Sequence, residues 1–382
     1  MNKKNKSIFK IFPMKNYILM ESNPDFADNT KALFDTFIEK NVNKKYKIIW
    51  FVRDKKEFKN IKIKNVKFAE VYGGTFIRRT RKKYYEHTAK IIIDCNKYIK
   101  KTRKSQFRFH LGHGMPLKNA STYCKEAGEF DFILQEAKFF TDKMCKAFDI
   151  EENKLITLGY CRNDDLLKYE NKDIIKIEEW KNKKNIVWLP TYRKHQNKAS
   201  NIDTGVNYPH GIPCLEEKKQ FESINELMRK HNILLLIKLH PAQDKSKLSK
   251  FNLSNLKFIT DEMLMQNNLT LYQLLAKSSA LITDYSSVYY DYLITKKPIG
   301  LAIDDLENYM EKFGIVYENY YDAIKGEYIY DYKDLEKFII NIGTDNDEKL
   351  EERICAMNKY HDYKDDKSSL RVYEFLKPYL KL

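Results

Sequence analysis

The stretch at residues 280–303, ALITDYSSVYYDYLITKKPIGLAI, decides how this chain is read. An apolar run, ALIT, passes directly into Asp284, Ser286 and Ser287, then into a helix-length segment, then into a second apolar run, PIGLAI. Two short apolar runs joined by a helix form a strand, helix, strand crossover, which belongs to a parallel sheet covered on both faces. A buried core has no use for a polar knot between two of its elements. The knot therefore faces something outside the core.

The same shape recurs along the chain. Apolar runs stand at 46–52 (YKIIWFV), 89–94 (AKIIID), 185–190 (NIVWLP), 233–240 (ILLLIKLH), 256–260 (LKFIT), 280–284 and 298–303, separated by periodic segments such as LTLYQLLAKS and SVYYDYLITKK. This alternation predicts α/β architecture with parallel sheets. A length of 382 residues suits two domains. The charged stretch KYENKDIIKIEEWKNKKN before a fresh strand places the boundary near 175, giving domains at 1–175 and 176–382, with the last helices free to cross back. The tail reads as helix, polar turn, helix.

Composition narrows the class without choosing a function. A hydrophobic fraction of 43% with 14% aromatic residues excludes disorder. A net charge of +16 attracts polyanions: nucleic acid, anionic lipid or a phosphate-rich substrate. The six cysteines (95, 124, 145, 161, 214, 355) show no C-x-x-C pair, which argues against a disulfide framework or zinc site and suits a reducing cytosol. The longest aliphatic run, ILLLI at 233–237, is far short of the ~20 residues that span a bilayer. The amino-terminal MNKKNKSIFKIFPMKNYIL carries five lysines and no acid; it lacks the features of a secretory signal, and reads equally as a segment lying on an anionic leaflet or as a solvated end before the first strand.

In open α/β sheets ligands bind outside the carboxyl ends of the strands. Three second-half strands finish on polar groups there: WLPTYR on Thr191 and Arg193, LIKLHP on Lys238 and His240, and LITDYSS on Asp284, Ser286 and Ser287. The first half adds FRFHLGHGMPLK, with His113 and Gly114 before a helix opened by Pro116. Singly, each has an ordinary structural explanation as a cap or a satisfied core histidine; Ser287 and Asp291, four apart, equally mark a solvated helical face. Together they supply hydroxyls, helix N–H groups and cations for a diphosphate. No GxxxxGK[ST] and no GxGxxG follows a first strand, so the common nucleotide-binding readings fail.

The motifs HGMPLK (113–118), LGYCRNDDLL (158–167), WLPTYR (188–193), IKLHP (237–241) and ITDYSSVYYDYLITKKPIGL (282–301), in this order, closely resemble the CDP-glycerol glycerophosphotransferase family of teichoic acid synthesis, over roughly residues 17–340. The resemblance implies a GT-B architecture of two Rossmann-like domains facing across a cleft. The first would be the acceptor and membrane-side domain and the second the CDP-alditol donor-binding domain. It implies enzymes at the inner face of the membrane that move glycerol phosphate from CDP-glycerol to an undecaprenyl-diphosphate-linked acceptor and release CMP. His113 then matches the general base and His240 a group steadying the donor. Gly114, Arg193, Lys238, Asp284, Ser286, Ser287 and Asp291 match donor-binding positions, with Lys118, Arg162, Asn163, Asp164 and Thr191 as further motif residues. Met115 and Cys161 depart from the family's usual Thr and Pro. A diphosphate donor leaves room for Mg2+, although no carboxylate cluster reads as a dedicated cage.

Rival readings are a CDP-ribitol or capsule-type alditol-phosphate transferase, an NDP-sugar GT-B glycosyltransferase and a nucleic-acid-binding protein. The absence of any recognition-module signature weighs against the last, and a nucleic-acid partner is not expected. The compact length tilts the reading toward priming or short-chain synthesis.

Overall fold

A computed structural model of the chain describes residues 8–96, 99–117, 130–191, 208–239 and 253–382. Thirteen strands form among these residues: β1 (Lys15–Glu21), β2 (Lys47–Val52), β3 (Val66–Glu70), β4 (Ala89–Asp94), β5 (Phe107–His110), β6 (Phe132–Gln135), β7 (Leu155–Thr157), β8 (Lys184–Trp188), β9 (Ile233–Ile237), β10 (Leu256–Phe258), β11 (Ala280–Thr283), β12 (Ile299–Ala302) and β13 (Glu327–Ile329). They build a seven-stranded sheet in the order β3-β2-β1-β4-β5-β6-β7 and a six-stranded sheet in the order β10-β9-β8-β11-β12-β13. All described pairings are parallel. The α/β, Rossmann-like reading of both halves holds.

The apolar runs become strands because helices cover both faces of each sheet. In β9 all five residues, ILLLI, are buried, and in β2 all but Lys47. A parallel strand with no wet face tolerates this continuous hydrophobicity, whereas a half-exposed strand would alternate. One face of the second sheet packs Ile186, Trp188, Leu235, Ile237 and Ile282 against Phe221, Ile224 and Phe338 of its covering helices. In both sheets the strand order reverses direction once, between β1 and β4 and between β8 and β11. These reversals open crevices at the carboxyl edges, where loops after adjacent strands diverge to opposite faces.

The compact units differ from a division after residue 175. One is formed by Met1–Met115, Ser121–Asp164 and Asp362–Leu382, the other by Pro116–Ala120 and Asp165–His361. The boundary falls earlier because Asp165 accepts from Thr270 Oγ1 (3.3 Å) and the Glu170 carbonyl accepts from Lys277 Nζ (2.7 Å), tying this segment to the second unit. The final helix, Ser368–Leu380, returns to the first unit. Its Tyr379 ring stacks on Phe107 at 4.1 Å, Phe375 meets Phe132 at 5.2 Å, and the Leu380 carbonyl accepts from Tyr46 Oη at 3.0 Å.

Candidate active site

In the first unit the site grows from the carboxyl end of β5. His110 closes the strand, and the chain turns through Gly112 (φ +65°) and Gly114 (φ +144°), leaving His113 exposed between them. The left-handed Gly112 is also crowded: a Cβ there would lie 3.2 Å from Tyr160 Oη. His113 Nδ1 stands 3.3 Å from the Cys95 carbonyl oxygen. A carbonyl only accepts, so Nδ1 carries a proton, and in the neutral ring Nε2 keeps its lone pair. This is the tautomer a general base needs, with the basic nitrogen on the exposed ring.

The three residues of the RND motif make separate contacts, and only the first touches this turn. Arg162 Nη1 donates to the His113 carbonyl (3.0 Å) and to Asp28 Oδ1 (2.7 Å), with both side chains of the ion pair largely buried. Asn163 Nδ2 donates to Glu136 Oε2 (3.3 Å), which also accepts from Tyr160 N (2.5 Å). Asp164 accepts from Ser368 N and Ser369 N, each at 2.8 Å, at the start of the final helix. Burial pushes its carboxyl up to about 6, with those N–H groups pulling the other way. Asp164 is thus a long-range cap. Met115 and Cys161, at the two departures from the family pattern, are both buried.

A buried polar cluster that the sequence reading missed lies beneath the turn, at the ends of β1, β4 and β5. The Asp94 carboxylate accepts from Arg108 Nε (3.1 Å) and Nη2 (2.7 Å) and from His110 Nδ1 (2.7 Å). Burial alone would raise Asp94, but Arg108 and His110 outweigh it and hold the group below the usual carboxylate range. Neighbouring Glu21, buried beside that charge, is pushed up to about 8. The signal available in sequence was the polar last residue of each apolar strand, Glu21, Asp94 and His110.

In the second unit, the ends of β8, β9 and β11 bring Thr191, Lys238, Asp284, Ser286 and Ser287 to one edge, at the reversal of strand order. Asp284 is fully buried and accepts from Thr191 N (2.8 Å), Thr191 Oγ1 (2.5 Å) and Tyr285 N (2.6 Å). Its carboxylate therefore ties the loop after β8 to the turn after β11. Tyr320 Oη donates to the Asp284 carbonyl (3.2 Å), and Tyr285 Oη to Asp305 Oδ1 (2.8 Å), with the Tyr285 ring stacked on Tyr309 at 3.7 Å. Ser286 and Ser287 are partly accessible at the start of the six-residue helix Val288–Leu293. Lys238 Nζ lies 3.0 Å from Asp261 Oδ2.

Asp291 corrects the solvated-face reading of that helix. All six of its residues are buried, and Asp291 Oδ2 accepts from Tyr272 Oη at 2.5 Å, so its side chain packs inward. Lys118, Arg193 and His240 lie outside the described residues, as does the helix expected after Pro116. Among the described residues no three His, Cys, Asp or Glu side chains gather as a metal cluster, and no helix is long and apolar enough to cross a membrane.

Residues 5–377 match the family model described as CDP-Glycerol:Poly(glycerophosphate) glycerophosphotransferase. The chain is 29% identical over 253 residues to the teichoic acid glycerol-phosphate primase of Bacillus subtilis (strain 168), covering 66% of this chain and 59% of that protein. It is 26% identical over 388 residues to the teichoic acid poly(glycerol phosphate) polymerase of Bacillus spizizenii (strain ATCC 23059 / NRRL B-14472 / W23), covering 93% and 90%. The structure of the wall teichoic acid polymerase TagF superposes with a TM-score of 0.73 at 20% identity, over 96% of this chain and 90% of that one, a likeness that shows the two-domain, GT-B-like fold.

Proposed function

The chain belongs to the CDP-Glycerol:Poly(glycerophosphate) glycerophosphotransferase family, and on that footing we propose that it transfers glycerol phosphate from CDP-glycerol to a hydroxyl of a polyprenyl-diphosphate-linked acceptor in the synthesis of teichoic acid or a related surface polymer. The observation that carries the reaction is the His113 geometry: Nδ1 donates to the Cys95 carbonyl, which in the neutral ring assigns the basic lone pair to Nε2 on an exposed residue. Nε2 takes the proton of the acceptor hydroxyl as that oxygen attacks the β-phosphorus of the donor. A new P–O bond forms to the acceptor, the bond to the α-phosphate oxygen breaks, and CMP leaves. Such a transfer depends mainly on positioning and charge neutralisation.

The donor diphosphate is assigned to the second unit. The accessible hydroxyls of Ser286 and Ser287 and the Lys238 ammonium at the reversal of strand order support this, with Arg193 and His240 assigned by family motif. Asp284, sealed against Thr191, shapes this edge rather than touching the ligand. The acceptor, as a lipid-linked molecule, is met at the inner face of an anionic membrane. In support, Phe76 (77% exposed) and Ile77 (66%) head the cationic segment FIRRTRKK, and Ile8 and Ile11 are exposed as well.

The test is CMP release from CDP-glycerol, CDP-ribitol and a UDP-sugar with a short-chain lipid-linked acceptor, using wild type and His113→Ala. Release from CDP-glycerol that falls at least about 100-fold in the variant is the expected result. Release from CDP-ribitol alone would reassign the donor, and a wild-type rate in His113→Ala would overturn the base.

A further inference from the structure

We infer that Asp28 and Asn29, which open the helix Asp28–Glu39, are positioning residues for the His113 imidazole; the inference rests on the reading of His113 as the base. Three consecutive carbonyls of the catalytic turn are gripped from one side. Asn29 Nδ2 donates to the Leu111 carbonyl (3.3 Å) and the Gly112 carbonyl (3.0 Å), while Arg162 Nη1 donates to that of His113 (3.0 Å). Arg162 is in turn held by the same pair: its backbone N donates to Asn29 Oδ1 (3.1 Å) and its guanidinium to Asp28 Oδ1 (2.7 Å). Asn29, fully buried, thus uses both amide hydrogens and its oxygen on this one task.

The turn needs such restraint. His113 stands between two glycines in left-handed or open conformations, residues that by themselves select no single backbone state. The hydrogen bonds to its carbonyls select one, and with it the ring orientation that lets Nδ1 reach Cys95. Among the described residues the ring is exposed, so burial does little of this work.

The segment carrying the pair shows a cost consistent with that role. Phe26 (φ +56°) and Asp28 (φ +62°) are both left-handed non-glycine residues within three positions, a concentration of strain that persists only where the surroundings over-determine it. The surroundings are visible: the Phe26 ring lies 5.0–5.6 Å from those of Phe34, Trp50, Phe58 and Phe68, and Ser22 Oγ accepts from Ala27 N at 3.0 Å. The N-cap residue, Ala27, offers no side-chain cap, and at the helix start Asp28 Oδ1 accepts only from the adjacent Asn29 N (2.7 Å). An Asp one position earlier would cap that helix without strain. In its left-handed place the same Asp28 oxygen also reaches Arg162 (2.7 Å).

Asn29→Ala and Asp28→Asn test this, the latter keeping a side chain that tolerates the left-handed region should the former fold poorly. Each is assayed for CMP release from CDP-glycerol, alone and in the His113→Ala background, and His113 is followed by its imidazole nitrogen chemical shifts. Misplacement of a catalytic group by about 1 Å costs on the order of 100-fold, so kcat is expected to fall about 10- to 100-fold, with KM for the donor within about twofold. The ring nitrogens should lose the signature of a proton fixed on Nδ1, and neither substitution should lower the residual rate of His113→Ala further. An equal fractional loss in the His113→Ala background, or unchanged kcat with an unchanged nitrogen signature, would overturn the inference. A wild-type rate in His113→Ala sinks the base assignment instead, and the nitrogen signature still reports whether Asn29 and Asp28 orient the ring.

Discussion

Replacing Asp164 by Ala should loosen the final helix, and by an amount that shrinks as pH rises. The carboxylate is the acceptor for Ser368 N and Ser369 N, both at 2.8 Å. With ~2 kcal/mol for each buried N–H left without a partner, removing it costs ~4 kcal/mol at low pH, where the group is neutral in folded and unfolded chains alike. Its carboxyl is raised from an ordinary 3.8 to about 6 in the folded chain, chiefly by burial. A raised folded value means that the associated stability is complete below about pH 3.8 and is lost as pH rises through 6, because the unfolded chain ionises first. At 1.36 kcal/mol per pKa unit this loss totals ~3 kcal/mol, of which ~1 has gone by pH 4.5 and nearly all by pH 7.5. Asp164→Ala is therefore expected to open the final helix by ~3 kcal/mol at pH 4.5 but only ~1 kcal/mol at pH 7.5. Hydrogen exchange of the segment 368–380, corrected for intrinsic rates and compared between wild type and variant at both pH values, measures this directly, since other titrating groups cancel in the comparison. A penalty that is constant or larger at pH 7.5 would refute the assignment of Asp164 as a buried, neutral-preferring cap.

Gly159 (φ +78°) lies under the same helix, and a Cβ there would come 2.5 Å from Ser368 Oγ; Gly159→Ala should destabilise it by ~2 kcal/mol or more, seen as faster cleavage near residue 365 in limited proteolysis. Asp284→Ala leaves Thr191 N, Thr191 Oγ1 and Tyr285 N without the acceptor they share and should cost ~3 kcal/mol or more in urea unfolding of the second unit, with Asp284→Asn recovering part. Ser286→Ala with Ser287→Ala should raise KM for CDP-glycerol about 10- to 100-fold, the worth of hydrogen bonds to a charged phosphate, while Tm stays within about 1 °C. Phe76→Ser with Ile77→Ser should reduce sedimentation with anionic vesicles several-fold and leave turnover of a water-soluble acceptor analogue unchanged.

The strands were legible because burial on both faces writes itself into consecutive residues: KIIWFV and ILLLI are strands wherever they fall. The polar strand ends were legible by the same logic, since a parallel sheet leaves one edge for them. What escaped was every role defined by a partner far along the chain. Asp164 reads as one letter of a motif until Ser368 and Ser369, 204 and 205 residues away, supply the N–H groups it accepts from. These contacts join the ring contacts of Tyr379 and Phe375 in tying the final helix to the first unit. Asp291, at a helical spacing from Ser287, reads equally as a solvated acid and, by the resemblance, as a donor-binding position; its bond to Tyr272, in an earlier helix, packs it inward. Asp28 and Asn29 sit in a stretch whose local pattern, a turn before a helix, gives them ordinary duties as caps. Their partners at Leu111, Gly112 and Arg162 lie 82 to 134 residues on. Periodicity encodes which face is buried, but a hydrogen bond across a hundred residues leaves no periodic trace. The residues that orient a catalytic group through such bonds are therefore the ones a single sequence conceals, and backbone strain at Phe26 and Asp28 is the physical mark by which the folded chain reveals them.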